Sequence, residues 1–108
     1  MAFQSRDVVL VPFPYRDRLA EKTRPAVVVS GAAYNQRGDV VIAAITSQPA
    51  RFPTDYQLLD WQAAGLQFQS TVRMLLGTVA EERVVHRIGQ LSDRDWAAVQ
   101  NRLQLVFA

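Results

Sequence analysis

Two short β-branched apolar runs, each bounded by polar residues, constrain the fold of this chain most strongly. The run Ala26-Val27-Val28-Val29 follows Lys22-Thr23-Arg24-Pro25, and the run from Val40 to Ile45 ends in Thr46-Ser47-Gln48. Runs of this length between polar segments are typical of buried strands. We therefore expect two strands whose polar ends carry functional side chains to a surface.

Further segments repeat this pattern along the chain. The sequence predicts six strands, at 7–13, 25–30, 40–46, 54–60, 70–76 and 83–88. Turns are expected at 35–39 and at Gly65, and residues 14–24 form a long polar loop of the kind that often carries function. Several short strands with little helix between them indicate a mainly β fold, a small antiparallel barrel or sandwich.

The C-terminal segment has a different pattern, which predicts one amphipathic helix. Ser92 is the expected N-cap, and Asp95 is placed to reach back to it in a variant of the capping box. Leu91 and Trp96 have the spacing of a hydrophobic staple. The apolar positions that share one helix face are Trp96, Val99, Leu103 and Val106.

The length of 108 residues predicts a single domain, residues 1–108. The chain has no cysteine, which excludes disulfides and thiolate catalysis. It has no signal-peptide pattern at its N-terminus and no apolar run near the ~20 residues that span a bilayer. We expect a cytoplasmic protein without membrane contact.

The excess positive charge is confined to one segment. The net charge is +2, and it arises within residues 16–24, where Arg16, Arg18, Lys22 and Arg24 face only two acidic residues. Eleven of the twelve basic residues are arginine, whose planar guanidinium suits phosphate and base contacts. A codon bias of the source genome explains the same preference equally well.

The residue types present favour metal-free phosphate chemistry. With one histidine, His86, and no cysteine, the chain lacks a zinc-type ligand cluster, and no glycine-rich phosphate loop is present. Arg24 precedes a proline and so has a restricted, extended backbone, while Thr46 and Ser47 supply hydroxyls. From the residues alone, a surface arginine and hydroxyls that bond nearby backbone are at least as well supported.

The ordered set of segments resembles the MazF/PemK family of toxins from type II toxin–antitoxin systems. The resemblance covers essentially the whole chain, in order and with similar spacing. It rests on Asp7–Pro14, Thr23–Ser30, Ala43–Gln48, Ser70–Arg73 and Ile88–Ser92.

This resemblance implies an SH3-like β-barrel with a C-terminal helix, usually a homodimer, that cleaves single-stranded RNA without a metal or other cofactor. It also implies a co-expressed antitoxin that covers the RNA groove. By the same resemblance, Arg24 and Thr46 are the catalytic residues and the 14–23 loop flanks the RNA. The expected RNA contacts are Arg16, Arg18, Lys22, Ser47, Gln48 and Arg73, with Glu21 a candidate acid or base.

The chain departs from the family at two positions. Arg6 stands where family members commonly have glycine before the first strand. Leu75 stands where one branch has an aspartate implicated as the general base, and a leucine cannot move a proton. The branch mechanism that needs that aspartate is therefore excluded, and the general base is left unassigned.

Two other functions remain open at this point. A toxin of the same fold could bind a protein, as the CcdB gyrase poisons do, although their contact uses a tryptophan near the extreme C-terminus and this chain ends Leu105-Val106-Phe107-Ala108. A barrel that binds RNA or a partner without catalysis is the second alternative. Substitution of Arg24 separates these from a nuclease.

Overall fold

The computed structural model describes residues 3–13 and 22–108, which form one six-stranded antiparallel sheet, curled into a half-barrel, and a C-terminal helix. The strands are β1 (Asp7–Phe13), β2 (Lys22–Val28), β3 (Asp39–Thr46), β4 (Tyr56–Gln57), β5 (Thr71–Ala80) and β6 (His86–Gln90). The helices are α1 (Ala32–Asn35) and α2 (Asp93–Phe107), and a 3₁₀ turn spans Glu81–Arg83. The predicted mainly β fold with a closing helix is confirmed.

The strand order is β4-β5-β3-β2-β1-β6, so the two apolar runs lie side by side in the middle of the sheet. Both faces of these central strands are buried, which explains why their sequences are continuously apolar rather than alternating. One face packs in a cluster formed by Phe3, Val9, Val11, Ala26, Val28, Val40, Ile42 and Ala44. The other packs in a second group, called here the helix-side cluster, formed by Val8, Val27, Ala43, Ile45, Leu58, Ala64, Val72, Leu91 and Val99.

The strand boundaries differ from the predicted ones where pairing overrides local pattern. β2 begins at Lys22 rather than at residue 25, because residues 22–25 pair with the second half of β1. The strand predicted at 54–60 shrinks to Tyr56–Gln57, the only part of it that pairs with β5. β5 continues to Ala80 along β3, and the 3₁₀ turn delays β6 to His86.

The helix α2 begins as predicted, but its capping box is only half formed. Ser92 is the N-cap and accepts a hydrogen bond from the Asp95 backbone N–H at 3.3 Å. The Asp95 carboxylate does not reach back to Ser92, because it is buried and accepts three other bonds: from the Tyr56 hydroxyl at 2.6 Å and from the backbone N–H groups of Leu59 and Asp60 at 3.1 and 2.8 Å. That part of the prediction is wrong.

The apolar face of α2 packs on the sheet over most of its length. Leu91 is buried in the helix-side cluster, and Trp96, Val99 and Leu103 pack within or against it. Val106 lies outside the cluster and is exposed, so the predicted stripe holds only as far as Leu103. Within the part of the chain that the structure describes, no helix is both long and apolar enough to cross a membrane.

A second contact fixes the start of α2 to the segment that follows β4. Arg94 makes a bidentate contact with the Asp60 carboxylate, both distances being 2.7 Å, and Ser92 donates to the same carboxylate at 2.6 Å. These bonds hold the pKa of the Asp60 carboxyl well below its usual range, the Arg94 bonds contributing most. Together with the Asp95 bonds, they anchor residues 59 and 60 to the helix N-terminus.

Candidate functional site

A cleft of about 650 Å³ opens where β2 begins and β3 ends. One wall comes from the two strand ends that the sequence singled out, and the opposite wall comes from the segment between β4 and β5. The described residues that line it are Leu10, Arg24, Pro25, Ile45, Thr46, Ser47, Gln48, Gly65, Leu66, Gln67, Phe68, Ser70 and Ile88. Of these, Arg24 alone carries a formal charge.

Arg24 and Thr46 are brought together by the register of the central strands. The β2–β3 pairing ends at Ala26 opposite Ala44, and Arg24 and Thr46 each lie two residues beyond this pair, where both line the cleft. Side chains two residues apart on a strand share a face, so the two side chains belong to the same side of the sheet. Both residues are half-buried. The Arg24 backbone is further held by pairing with Val11 of β1.

The end of β3 forms a small turn that carries the other predicted polar residues. The Thr46 hydroxyl accepts a hydrogen bond from the Gln48 backbone N–H at 3.2 Å, as serine and threonine often do at strand ends. Its own hydroxyl proton is left to donate to another group. Ser47 and Gln48 are exposed in the cleft. Four predicted site residues, Arg24, Thr46, Ser47 and Gln48, therefore line one cavity.

The opposite wall of the cleft was not identified as part of the site from the sequence. It is formed by Gly65 to Phe68, and it lies against β6 through a close backbone approach. A Cβ on Gly65 would lie 2.2 Å from the carbonyl oxygen of Ile88, and a Cβ on Gly89 would lie 2.3 Å from that of Ala64. The sequence signals were Gly65, predicted as a turn, and Phe68, which a small barrel does not easily bury.

Arg73 lies on β5, outside the set of residues that line the cleft. Its guanidinium Nη2 is 3.2 Å from the Pro49 carbonyl oxygen and 3.5 Å from Asp55 Oδ2. The buried Asp55 carboxylate also accepts the backbone N–H groups of Arg51 and Phe52. In this structure Arg73 thus holds the loop that follows Gln48, and the structure does not bring it together with Arg24 and Thr46.

The remaining predicted site residues are not placed. Arg16, Arg18 and Glu21 lie outside the described residues, and Lys22 is described only as the first residue of β2. Leu75, the departure from the expected base, is exposed on β5. Within residues 3–13 and 22–108, no group of three or more His, Asp or Glu side chains is arranged to hold a metal ion.

Comparisons with known proteins agree on the fold. The family model described as "PemK-like, MazF-like toxin of type II toxin-antitoxin system" matches residues 4–107. A mycobacterial endoribonuclease solved in complex with its cognate antitoxin superposes with a TM-score of 0.80 at 16 % identity, covering 98 % of this chain and 95 % of that one. No curated protein sequence matches the chain.

Two further solved structures show the same likeness. The Mycobacterium tuberculosis toxin MazF-mt6 has a TM-score of 0.77 at 19 % identity, covering 94 % of this chain and 96 % of its own. A MazE–MazF crystal structure from Deinococcus radiodurans has a TM-score of 0.78 at 18 % identity, covering 99 % and 97 %. At these identities the structural matches establish the fold, while the family match extends over nearly every residue. This chain therefore belongs to the PemK-like, MazF-like toxins of type II toxin–antitoxin systems.

Proposed function

We propose that the protein is a metal-independent endoribonuclease that cleaves single-stranded RNA at the cleft between β2 and β3. The observation that carries the proposal is the convergence of Arg24, Thr46, Ser47 and Gln48 on one cavity. A guanidinium beside hydroxyl and amide groups suits a phosphodiester, because the planar fork donates to two phosphate oxygens. The mycobacterial relatives described as endoribonucleases share this fold.

The proposed reaction uses a nucleophile that RNA itself provides. The ribose 2′-hydroxyl loses its proton and attacks the adjacent phosphorus, forming a 2′,3′-cyclic phosphate. The bond from phosphorus to the 5′-oxygen breaks, and that oxygen takes up a proton to leave as a 5′-hydroxyl. Arg24 stabilises the charge that develops on the phosphorane oxygens, where such a donor is worth about 100- to 1,000-fold in rate.

Thr46 contributes a hydroxyl whose orientation is set by its own turn. Because Oγ1 accepts from the Gln48 N–H, its proton is free to point towards a phosphate oxygen or the attacking ribose. Neither residue is a suitable general base, since arginine keeps its proton and threonine does not titrate near neutral pH. Glu21 is the candidate for that role, and the other loop residues Arg16, Arg18 and Lys22 are proposed to bind the phosphate backbone.

We also propose a homodimer and a cognate antitoxin that occupies the RNA cleft. Large apolar side chains are exposed on the single chain, among them Leu59, Leu105 and Phe107. The solved mycobacterial and Deinococcus relatives include complexes with an antitoxin or with MazE. A single species of monomer mass in sedimentation at micromolar concentration would contradict the dimer.

The deciding experiment is cleavage of a long single-stranded RNA in excess EDTA. We expect discrete fragments from the wild type, and a rate about 100- to 1,000-fold lower for Arg24→Ala. Thr46→Val removes the hydroxyl at nearly constant volume and should also be strongly impaired, whereas Thr46→Ser should retain most activity. Arg37→Ala is the matched control, because Arg37 lies outside the cleft beside Asp39 and Tyr34.

The product ends test the chemistry separately from the activity. We expect a 2′,3′-cyclic phosphate or its opened form, with a 5′-hydroxyl on the other fragment. A 5′-phosphate would contradict 2′-hydroxyl attack. If folded wild-type protein leaves the RNA intact, the nuclease proposal is refuted. The remaining interpretation is then a toxin that binds RNA or a protein target without cutting RNA.

A further inference from the structure

We propose that Phe68 is the stacking platform for a nucleobase of the bound RNA, an inference that rests on the proposed function. Phe68 lies on the wall of the cleft that faces the strand ends. Phe68 is 67 % exposed, whereas Leu66 on the same wall is partly buried against the helix-side cluster. An exposed aromatic ring beside a phosphate-binding arginine is the pairing that single-stranded RNA recognition uses.

The backbone that carries Phe68 is held from both sides. The Phe68 carbonyl accepts a hydrogen bond from the buried Ser70 hydroxyl at 2.7 Å, and the Ser70 carbonyl accepts from the Leu58 N–H at 2.8 Å. At the other end, Gly65 is held against the β6 backbone. A ring on a fixed backbone loses little conformational entropy when a base stacks on it, so more of the stacking energy appears as affinity.

Groups that can read a base edge flank the ring. Gln67 precedes it on the same wall, and Gln48 lines the same cleft just after the end of β3; both residues are exposed. A carboxamide both donates and accepts, so it can pair with the Watson–Crick edge of a base. The geometry therefore assigns stacking to Phe68, edge recognition to the two glutamines and phosphate binding to Arg24.

The test compares binding to two single strands of equal length. One is a mixed-sequence 20-nucleotide 2′-O-methyl RNA, which cannot undergo 2′-hydroxyl attack, and the other is the same backbone with every base removed. We expect Phe68→Ala to weaken binding of the first strand by about 5- to 160-fold, the equivalent of one stacked base. Binding of the abasic strand should be unchanged, because only phosphate contacts remain.

Three further variants separate stacking from bulk and from nonspecific surface effects. Phe68→Trp should keep the affinity, whereas Phe68→Leu, which is apolar but has no aromatic face, should lose most of it. Phe52→Ala is the matched control, since Phe52 is also exposed, by 57 %, but does not line the cleft. All variants are compared at the same ionic strength, because phosphate binding depends on salt.

Three results would overturn the assignment. In the first, Phe68→Ala binds the base-bearing strand as tightly as the wild type does. In the second, Phe68→Ala loses the same affinity for the base-bearing and the abasic strand. In the third, Phe68→Ala dissociates an oligomer, which would place the ring in a protein interface. The two proposals fail separately. If the wild type does not cut RNA, but Phe68→Ala still weakens base-dependent binding, only the nuclease proposal is refuted. Cleavage without any Phe68 effect would refute this inference alone.

Discussion

Arg6 adopts a left-handed backbone conformation, with φ 72°, just before β1. In this conformation the Arg6 N–H donates a hydrogen bond to the Val28 carbonyl, and the Arg6 carbonyl accepts one from the Leu91 N–H. One residue thus links the start of β1 to the end of β2 and to the residue that follows β6. The side chain donates from Nε to the Leu91 carbonyl at 3.0 Å and from Nη2 to Asp93 at 2.7 Å. An L-residue in this region costs about 1–2 kcal/mol, which explains why a glycine suits the position.

Comparison of Arg6→Ala with Arg6→Gly isolates that backbone cost. Both substitutions remove the guanidinium contacts, but only alanine keeps a Cβ at positive φ. We expect the alanine variant to be less stable by about 1 kcal/mol, after allowance for the greater freedom of glycine in the unfolded chain. Urea unfolding at one fixed protein concentration measures the difference. Equal stabilities would show that this backbone relaxes without cost.

The backbone of residues 64–65 packs directly against the backbone of β6, with no side chain between them. Gly65 is needed both for its φ of 86° and for its contact with the Ile88 carbonyl, while Gly89 is needed for the contact alone. This approach places the cleft wall, since Gly65 is its first residue. The position of the wall is therefore set by backbone packing between two segments distant in sequence.

We expect Gly89→Ala to destabilise the fold by about 1–3 kcal/mol, the usual cost of forcing an atom into a packed contact. It should also weaken RNA binding, because the wall that carries Phe68 must move. Gly77→Ala is the matched control: Gly77 lies in β5, and a Cβ there would have nothing within 4 Å, so that variant should be neutral or slightly stabilising. Thermal unfolding of the two variants side by side is the measurement. Equal stability of both would contradict close packing at Gly89.

At the scale of the whole molecule, the buried Asp95 carboxylate joins the helix to the sheet. It accepts from Tyr56 on β4 and from the backbone at residues 59 and 60, groups 35 to 39 positions away in sequence. Burial, together with the hydrogen bond to Asp95, raises the pKa of Tyr56 to about 12. The folded chain therefore holds this proton more tightly than the unfolded chain, whose tyrosines titrate near pH 10.

This difference predicts a specific pH dependence of the free energy of unfolding. The stabilisation from Tyr56 is fully present below pH 10 and is lost as the pH rises from about 10 to about 12. Tyr56→Phe should cost roughly 1.5–3 kcal/mol at neutral pH, the usual value for a hydrogen bond to a charged group. The variant should then show a shallower decline than the wild type across the alkaline window. Denaturant unfolding at pH 8, 10 and 11.5 measures both effects, and parallel curves would contradict the assignment.

What the sequence determined by itself follows from rules that act over a few residues. Continuous apolar runs predicted β1, β2 and β3, and Ser92 with its flanking staple predicted the start of α2, because strand burial and helix capping depend on neighbouring positions. The polar strand ends at Arg24 and Thr46 were equally visible as candidates.

Only the tertiary structure decided which of these groups meet. The β2–β3 pairing brings Arg24 and Thr46 to one cleft, the close backbone approach at Gly65 and Gly89 places the wall that carries Phe68, and Asp95 bonds β4 instead of its own helix cap. Arg73 is likewise drawn to Asp55 and away from the cleft lining. These contacts join residues far apart in the chain, and no local periodicity encodes them. They arise because each buried polar group needs a hydrogen-bond partner and the interior must be closely packed, and the folded chain has to meet both conditions at once.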